Sequence, residues 1–277
     1  MKILKIINVM LCSLLLTFFL VFIGLRVTMF NGDYLIRSAD KSDYYSALAK
    51  EMNSSIQDIG MASNIPKDVL TDVVSVKEVK EATQQYFSTI YLASENQEIA
   101  GDQVVDRAVE KVTAYSQANG IAVNDLSQFS SYVNAAFIQS VQLPYMTSFG
   151  QKVSQYSSYL KYVLIGSFGL FVFALFMLVV PLSKYPHQLY RSLSYVFSSV
   201  GLLLVLFPAV VLLSGVLKRL AINAQSLYNL FNAYVSGICM VYILLGVLCL
   251  IISVASAVIS EQGRKRLVQS RKRVRGF

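Results

Sequence analysis

Three carboxylates, Asp102, Asp106 and Glu110, recur at intervals of four residues and so share one face of a predicted helix. Carboxylates placed in this way can perform acid–base chemistry or bind a divalent cation. The same spacing is typical of a solvated acidic face, and the neighbouring Arg107 and Lys111 favour that interpretation. A weak cation site, or an enzyme acting through carboxylates or tyrosines at a membrane surface, stays open as the alternative.

Histidine and cysteine, which supply many catalytic bases, nucleophiles and metal ligands, are scarce. The chain has 1 His, at position 187, and 3 Cys, at positions 12, 239 and 249. Because residues 31–159 contain neither type, that region can form no triad with a histidine base and no zinc site with His or Cys ligands. We expect His187 to be a solvated loop residue and the cysteines to be small apolar fillers.

Short motifs add no catalytic chemistry. The sequence has no Gly-rich phosphate loop and no H-E-x-x-H or G-x-S-x-G pattern. Asn53 begins a glycosylation sequon, but a three-residue match of this kind is common by chance. We therefore predict a protein that is not an enzyme, with no catalytic residue, no metal and no cofactor.

The composition favours a membrane protein, since 55% of the residues are hydrophobic and 14% are charged, against about 25% charged in a typical soluble domain. A helix needs about 20 predominantly apolar residues to cross a bilayer. Four segments without an acidic or basic residue satisfy this, and we expect Pro208 to kink the third. The segments are residues 6–25, 162–182, 195–216 and 235–259.

The first apolar segment follows Lys2 and Lys5, which resemble the basic start of a signal peptide. The apolar run is longer than the roughly 7–15 residues of a signal peptide, and no small-residue cleavage site follows it. We therefore expect an uncleaved membrane anchor.

The net charge of +8 is the sum of two opposite regions. Residues 31–159 hold 15 of the 16 acidic residues and 9 of the 24 basic ones, which gives −6, and the rest of the chain carries +14. Near the spans, 11 basic residues lie on the side of the two termini and 7 on the other side. The positive-inside rule then places both termini in the cytoplasm and residues 31–159 outside the plasma membrane.

Apolar residues between the first two spans recur at helical intervals. They predict a helix over 43–59, one opened by a capping box of Ser75 and Glu78, one capped by Asp102 and ended by Gly120, and one after Asn124. A further long helix is predicted from about position 145 into the second span.

The predicted fold class is an all-α integral membrane protein with four transmembrane helices and a helical extracytoplasmic domain inserted between helices 1 and 2. The predicted parts are residues 1–30 with the first helix, 31–159 as the outer domain, 160–261 with helices 2–4, and 262–277 as a basic cytoplasmic tail.

A row of small residues runs along one side of the fourth span at intervals of three and four positions. Small side chains let membrane helices approach closely, so this seam predicts a packing surface. Packing against the other three spans and contact with a partner or a second copy both stay open. The seam consists of Gly246, Cys249, Ser253, Ser256 and Ser260.

Seven basic residues crowd the last fourteen positions, and we predict that they contact anionic lipid of the inner leaflet. An interaction arm for an acidic protein or nucleic acid is the alternative, but the lack of interleaved aromatic residues argues against specific nucleic-acid binding. The seven are Arg264, Lys265, Arg266, Arg271, Lys272, Arg273 and Arg275.

Between the third and fourth spans, Leu217, Leu220, Leu227 and Phe231 recur at helical intervals. This pattern predicts an extension of the third helix or an amphipathic turn on the outer membrane surface. Packing beneath the acidic domain is an equal alternative.

These features predict a non-catalytic four-span protein whose outer domain serves partner binding, sensing or cell-envelope assembly, through a protein partner or self-association. The order of one span, a large outer domain and three further spans is similar to that of permeases of the FtsX and MacB type. The similarity is one of topology, and the outer domains of those families contain strands. It implies a transporter subunit that requires a separate ATPase.

Overall fold

The computed structural model describes residues 2–92, 101–120, 125–143, 146–183 and 185–275. Over these ranges the regular secondary structure consists of helices, with no strand, which confirms the all-α prediction. The α-helices are α1 (Lys2–Val27), α2 (Gly32–Lys41), α3 (Tyr44–Ala62), α4 (Val76–Leu92), α5 (Asp102–Asn119), α6 (Leu126–Val141), α7 (Met146–Leu182), α8 (Pro186–Leu213) and α9 (Gln225–Arg275), with short 3-10 helices at Lys67–Leu70 and Val216–Arg219.

The chain divides into two compact units. One, here called the apolar unit, comprises Met1–Thr28, Ser157–Arg219 and Ser236–Phe277. The other, here called the helical domain, comprises Met29–Tyr156 together with Leu220–Val235. The second unit therefore includes a segment that lies between the third and fourth apolar helices in the sequence.

The apolar unit contains four helices that are long and apolar enough to cross a membrane, as the hydropathy pattern predicts. Their inward side chains form a small core in which Cys12, Leu178 and Val196 are almost fully buried. Large apolar side chains such as Ile165 and Phe207 point outward and are exposed. A helix bundle that is apolar on its outer surface is suited to lipid rather than to water. Helix α8 continues through Pro208.

The helical domain has one core, built from α2 to α6 and the first turns of α9. Its largest fully buried side chains include Tyr44, Met52, Phe87 and Phe137. Val104, Ala108 and Val112 form the buried face of α5, at the helical spacing that the sequence shows. The domain contains no cysteine, so no disulfide stabilises it, and burial of this apolar core is the main favourable contribution.

Several helix ends form for local reasons that the sequence reveals. The Glu78 carboxylate accepts hydrogen bonds from the backbone N–H of Ser75 (3.0 Å) and from its hydroxyl (2.6 Å), which confirms the capping box. Gly120 ends α5 in the left-handed conformation, with φ 65°, as predicted. The cap predicted at Asp102 is wrong, because Gly101 takes the N-cap position and Asp102 falls in the first turn.

Two helices differ from the sequence prediction in extent. Helix α2, capped by the side chain of Asn31, was not predicted, since its 10 residues offer few apolar positions. Helix α9 extends as far as Arg275, so the basic tail continues the fourth apolar helix. Asn124, after which the sequence predicts a helix, lies outside the described residues, and Asp125 caps α6 by accepting a hydrogen bond from the Gln128 N–H.

Candidate functional site

The three carboxylates with chemical potential form no site with one another. Asp102, Asp106 and Glu110 are all exposed on the surface of α5. Over the part of the chain that the structure describes, no three His, Cys, Asp or Glu side chains come close enough to hold a metal ion. What the three contribute is a negatively charged helix face.

Arg107, which the sequence places beside these carboxylates, turns instead to α4. Its guanidinium donates hydrogen bonds to both carboxylate oxygens of Glu78, at 2.6 and 3.1 Å, and a third to the backbone oxygen of Val73. Because Arg107 binds its carboxylate, the pKa of Glu78 falls from 4.5 to about 2. Glu78 thus closes the capping box of α4 and ties that helix to α5.

The segment before α4 is held from two sides by polar side chains. The Asn53 side chain accepts a hydrogen bond from the Val74 N–H (2.9 Å) and donates to the Val74 oxygen (2.9 Å) and the Ala49 oxygen (2.9 Å). From α5, Lys111 donates to the backbone oxygen of Thr71. The side-chain amide of Asn53 is therefore fully engaged in hydrogen bonds within the domain. These bonds explain why an asparagine stands at this position.

Two buried tyrosines place their hydroxyl groups inside the core of the helical domain. Tyr44 is 0% and Tyr45 6% exposed, and their rings meet edge to face at 5.3 Å. Burial raises the pKa of Tyr45 to about 12 and raises that of Tyr44 further. Both phenols stay neutral at physiological pH and have no access to solvent, so their arrangement suits packing rather than proton transfer.

The segment between the third and fourth apolar helices enters the helical domain at a specific contact. The Glu51 carboxylate of α3 accepts hydrogen bonds from the Ser226 N–H (2.9 Å) and from the Ser226 hydroxyl (2.5 Å). Leu230, one turn further along α9, is 5% exposed within the domain core, and the Tyr234 ring packs against Tyr34 at 5.6 Å. The carboxylate thus caps the start of α9 from another helix.

The helical spacing of this segment is visible in the sequence, whereas the pairing of Glu51 with Ser226 is not. A carboxylate 175 positions away from the helix it caps leaves no local pattern. The sequence does show the helical spacing of apolar residues between the third and fourth spans. That spacing predicts packing against the helical domain as one of its alternatives.

The small-residue seam of the fourth span faces α8 within the apolar unit. A Cβ atom on Gly246 would lie 2.9 Å from the Gly201 oxygen, so the two helices are in backbone contact there. The Ser253 hydroxyl donates to the Ser194 oxygen (2.8 Å). The Cys249 and Ser256 side chains are buried.

At its far end the seam reaches the only histidine. The Ser260 hydroxyl donates to the His187 backbone oxygen at 2.6 Å. His187 lies in the first turn of α8 and is half-buried, with Nδ1 inside the protein, so the expectation of a solvated loop residue is wrong. The reason is that Pro186 starts the helix earlier than the polar composition of the segment suggests.

The basic tail follows directly. Arg264, Lys265 and Arg266 are exposed on the extension of α9, and Arg264 forms an ion pair with Glu261 at 2.9 Å. The side chains of Arg271, Lys272, Arg273 and Arg275 lie outside the described part of the chain. The predicted lipid contact of the tail stays a prediction.

Comparison with known proteins provides no relative from which a function could be inferred. The geometry offers a negatively charged helical domain, a bundle of four apolar helices and a basic helix end. No protein-family model, no curated protein and no solved structure matches the chain.

Proposed function

We propose that this chain is a non-catalytic four-span protein of the plasma membrane whose helical domain lies outside the cytoplasm and binds a partner, in sensing or cell-envelope assembly. The observation that supports this topology most directly is which segments of the chain form the helical domain. Met29–Tyr156 and Leu220–Val235 fold into one unit. Both segments must therefore lie on the same side of the bilayer, which an even number of spans between them allows.

Contacts at the other ends of the apolar helices support the same topology. The hydrogen bond between Ser260 and His187 joins the end of the fourth span to the connection between the second and third. Along the chain, each of these two segments is separated from the helical domain by at least one apolar helix. The distribution of basic residues, 11 against 7, then favours the cytoplasm for that side.

Exposed tyrosines lie where the two membrane interfaces are expected. Tyr159 and Tyr162 precede the apolar stretch of α7 and are 62% and 74% exposed, and Tyr185 follows it at 54%. Between them α7 runs through about 20 residues, or roughly 30 Å, which is the thickness of the hydrocarbon core. Tyrosine is enriched at this depth because its ring is apolar and its hydroxyl is polar.

A role in binding rests on the surface of the helical domain. It carries a charge of −6, and several carboxylates, including Asp102, Asp106 and Glu110, are exposed without being drawn into the packing. A surface of this kind accelerates association with a cationic partner and makes the rate dependent on salt.

The topology is tested by labelling single added cysteines in intact cells with a membrane-impermeant maleimide. The native cysteines are buried, so the unmodified chain serves as the unlabelled control. Ala118→Cys and Asn223→Cys, both exposed, should react in intact cells. Gln262→Cys should react only after permeabilisation. The reverse pattern, or different sides for positions 118 and 223, overturns the proposal.

The binding role is tested by crosslinking the full chain in its native membrane, followed by mass spectrometry. A recurrent extracytoplasmic partner, or crosslinks between two copies, supports the proposal. An ATP-binding subunit recovered in its place favours the permease-like alternative, which the order of the spans also fits. Asp102, Asp106 and Glu110 can be replaced together by alanine. If the variant still binds the partner but no longer supports the protein's role in the cell, an enzyme or a cation site is favoured.

A further inference from the structure

Helix α9 continues well beyond the apolar residues of the fourth span. It runs unbroken from Gln225 to Arg275, whereas Ile259 is the last residue of the apolar stretch. At a rise of about 1.5 Å per residue, the positions after Ile259 add roughly 24 Å of helix. Residues 260–275 are here called the α9 extension. All seven basic residues of the C-terminal tail lie within it.

Contacts at the start of the α9 extension hold it beside α8. The Ser260 hydroxyl donates to the His187 backbone oxygen at 2.6 Å, and a Cβ atom on Gly263 would lie 3.4 Å from the His187 Cβ. Glu261 and Arg264 form an ion pair at 2.9 Å across this glycine. A glycine is a point at which a helix can kink, but α9 continues through Gly263. The α9 extension therefore projects from the end of the span instead of turning onto the membrane surface.

Distance along the α9 extension divides its cations into two groups. Positions 264–266 lie about 8–11 Å beyond Ile259, and a headgroup layer is about 5–8 Å thick. Positions 271–275 lie about 18–24 Å beyond Ile259, and a typical tilt of about 20° shortens these distances by about 6%. The backbone of the second group is therefore at least a Debye length, roughly 8 Å at physiological salt, outside the headgroups. Anionic lipid attracts the first group more strongly than the second.

The composition of the α9 extension also differs from that of a helix that lies on a bilayer. Such a helix needs an apolar face along its length. Between positions 262 and 275 the apolar side chains are those of Leu267, Val268 and Val274. Successive helix positions are about 100° apart, so the basic positions 271–273 cover about half of the circumference or more. Cations distributed in this way are suited to an acidic surface in water.

We infer that Arg271, Lys272, Arg273 and Arg275, here called the distal tail, form a docking site for an acidic segment of a cytoplasmic protein. The inference rests on the proposed function in taking α9 as a span with its C-terminal end inside. It adds a second binding surface, on the other side of the bilayer from the helical domain. The last acidic residue of the chain is Glu261, so no carboxylate within the distal tail offsets its charge of +4.

The sequence of the α9 extension favours a protein over a nucleic acid as the partner of the distal tail. No aromatic residue lies between positions 262 and 275, and stacking of bases on aromatic side chains contributes much of the binding of single-stranded nucleic acids. An acidic protein segment needs only opposite charge, which the distal tail supplies. The three cations at positions 264–266 are left to contact anionic lipid.

The two groups allow a matched test, because residues 264–266 and 271–273 have the same sequence, Arg-Lys-Arg. Each triplet is replaced by three glutamines in the full chain, which is placed in nanodiscs of equal parts phosphatidylglycerol and phosphatidylcholine. The probe is a fluorescein-labelled peptide of twelve glutamates, and its binding is followed by fluorescence anisotropy. Replacement of residues 271–273 should weaken peptide binding about tenfold, as expected for three exposed charge pairs. Replacement of residues 264–266 should weaken it less than about twofold.

Retention of phosphatidylglycerol, measured by native mass spectrometry of the released protein, should show the opposite order. Equal losses of peptide binding in the two variants indicate diffuse attraction and overturn the inference. Equal losses of lipid retention do the same, since they place the distal tail on the bilayer. Tighter binding of a twelve-nucleotide thymidine strand than of the peptide assigns the site to nucleic acid instead. Nanodiscs expose both faces of the bilayer, so these results do not depend on the cellular orientation, which the maleimide labelling reports separately.

Discussion

At the scale of single residues, position in the packing decides which charges matter. Arg107 and Glu78 are partly buried, with side chains 35% and 17% exposed, and they join α4 to α5 through two hydrogen bonds. Lys77 and Glu81 form a pair that is 84% and 67% exposed, at 3.9 Å. A partly buried, bidentate pair contributes more to stability than an exposed pair, which is screened by water.

Glu78→Gln should destabilise the helical domain by about 1–2 kcal/mol at pH 7, after allowance for the partial exposure of Arg107. The folded-state pKa of Glu78, about 2, lies below its ordinary value of 4.5, so its contribution is fully present above about pH 5 and is lost as the pH falls toward 2. The difference between variant and parent should shrink over that range. Urea unfolding in detergent at each pH, monitored by far-UV circular dichroism, measures it.

Glu81→Gln is the control for this change, since it removes the same charge from the same helix at an exposed position. We expect its effect to stay within about 0.5 kcal/mol at all pH values. Equal effects of the two substitutions would contradict the role assigned to the Arg107 pair.

At the scale of elements, the apolar unit depends on close approach between helices. Gly201 and Gly246 bring the backbones of α8 and α9 together, whereas a Cβ atom on Gly169 of α7 would meet nothing within 4 Å. Lipid tails are as apolar as the surface of a membrane helix, so the hydrophobic effect does little to bring such helices together. Van der Waals packing at close contacts therefore contributes much of the free energy of helix association.

Gly246→Ala should loosen the contact between α8 and α9, because its new Cβ would lie 2.9 Å from the Gly201 oxygen and 2.7 Å from a Val205 methyl carbon. We expect a loss of about 1–3 kcal/mol, typical of overpacking. Gly169→Ala, the same substitution at an open position, should be neutral or slightly stabilising. Unfolding in mixed micelles with increasing SDS distinguishes them, and equal midpoints for the two variants would refute the contact.

A second element-scale feature is the start of α9, which Glu51 caps from α3. Glu51→Ala removes the acceptor of the Ser226 N–H and hydroxyl. We expect a loss of about 1–2 kcal/mol from the missing cap and faster amide hydrogen exchange over the first turn of α9. Lys50→Ala, at the exposed neighbouring position, should leave that exchange unchanged. Unaltered protection in the Glu51 variant would show that the apolar contacts of Leu230 and Tyr234 are enough to anchor the segment.

At the scale of the whole molecule, charge is divided unevenly between two regions of the chain. The helical domain carries −6 and the rest of the chain +14. Seven of the basic residues lie in the extension of α9 and its last positions. In the topology that we propose, the overall charge of +8 reflects the positive-inside rule more than a basic binding surface.

Replacing the seven tail cations by glutamine should weaken the orientation of the protein. The count of basic residues on the side of the termini falls from 11 to 4, against 7 on the other side, and added or removed C-terminal charges are able to change topology. We expect a measurable inverted fraction in the maleimide labelling of Ala118→Cys. Replacing seven exposed Gln, Asn and Ser residues of the helical domain by alanine controls for the number of changes, and a uniform orientation of the tail variant would contradict the charge argument.

Local patterns predicted much of the fold. The four apolar helices, the capping box at Ser75, the helix end at Gly120 and the long α7 follow from apolar run length, helical spacing and helix-end chemistry. Each of these depends on residues within a few turns of one another, so the sequence is enough to place them. Helix α2 and the position of His187 in α8 were missed, because short polar segments give a weak apolar period.

The sequence by itself determined the helices, their length and the separation of charge between regions. Only the tertiary structure decided which helices touch: that Arg107 turns from the acidic face to Glu78, that Gly246 meets Gly201, and that Glu51 caps a helix 175 positions away. Helix formation depends on neighbours a few residues apart. Partners across the fold are chosen by how well distant surfaces fill space and satisfy buried polar groups, and no local pattern records that choice.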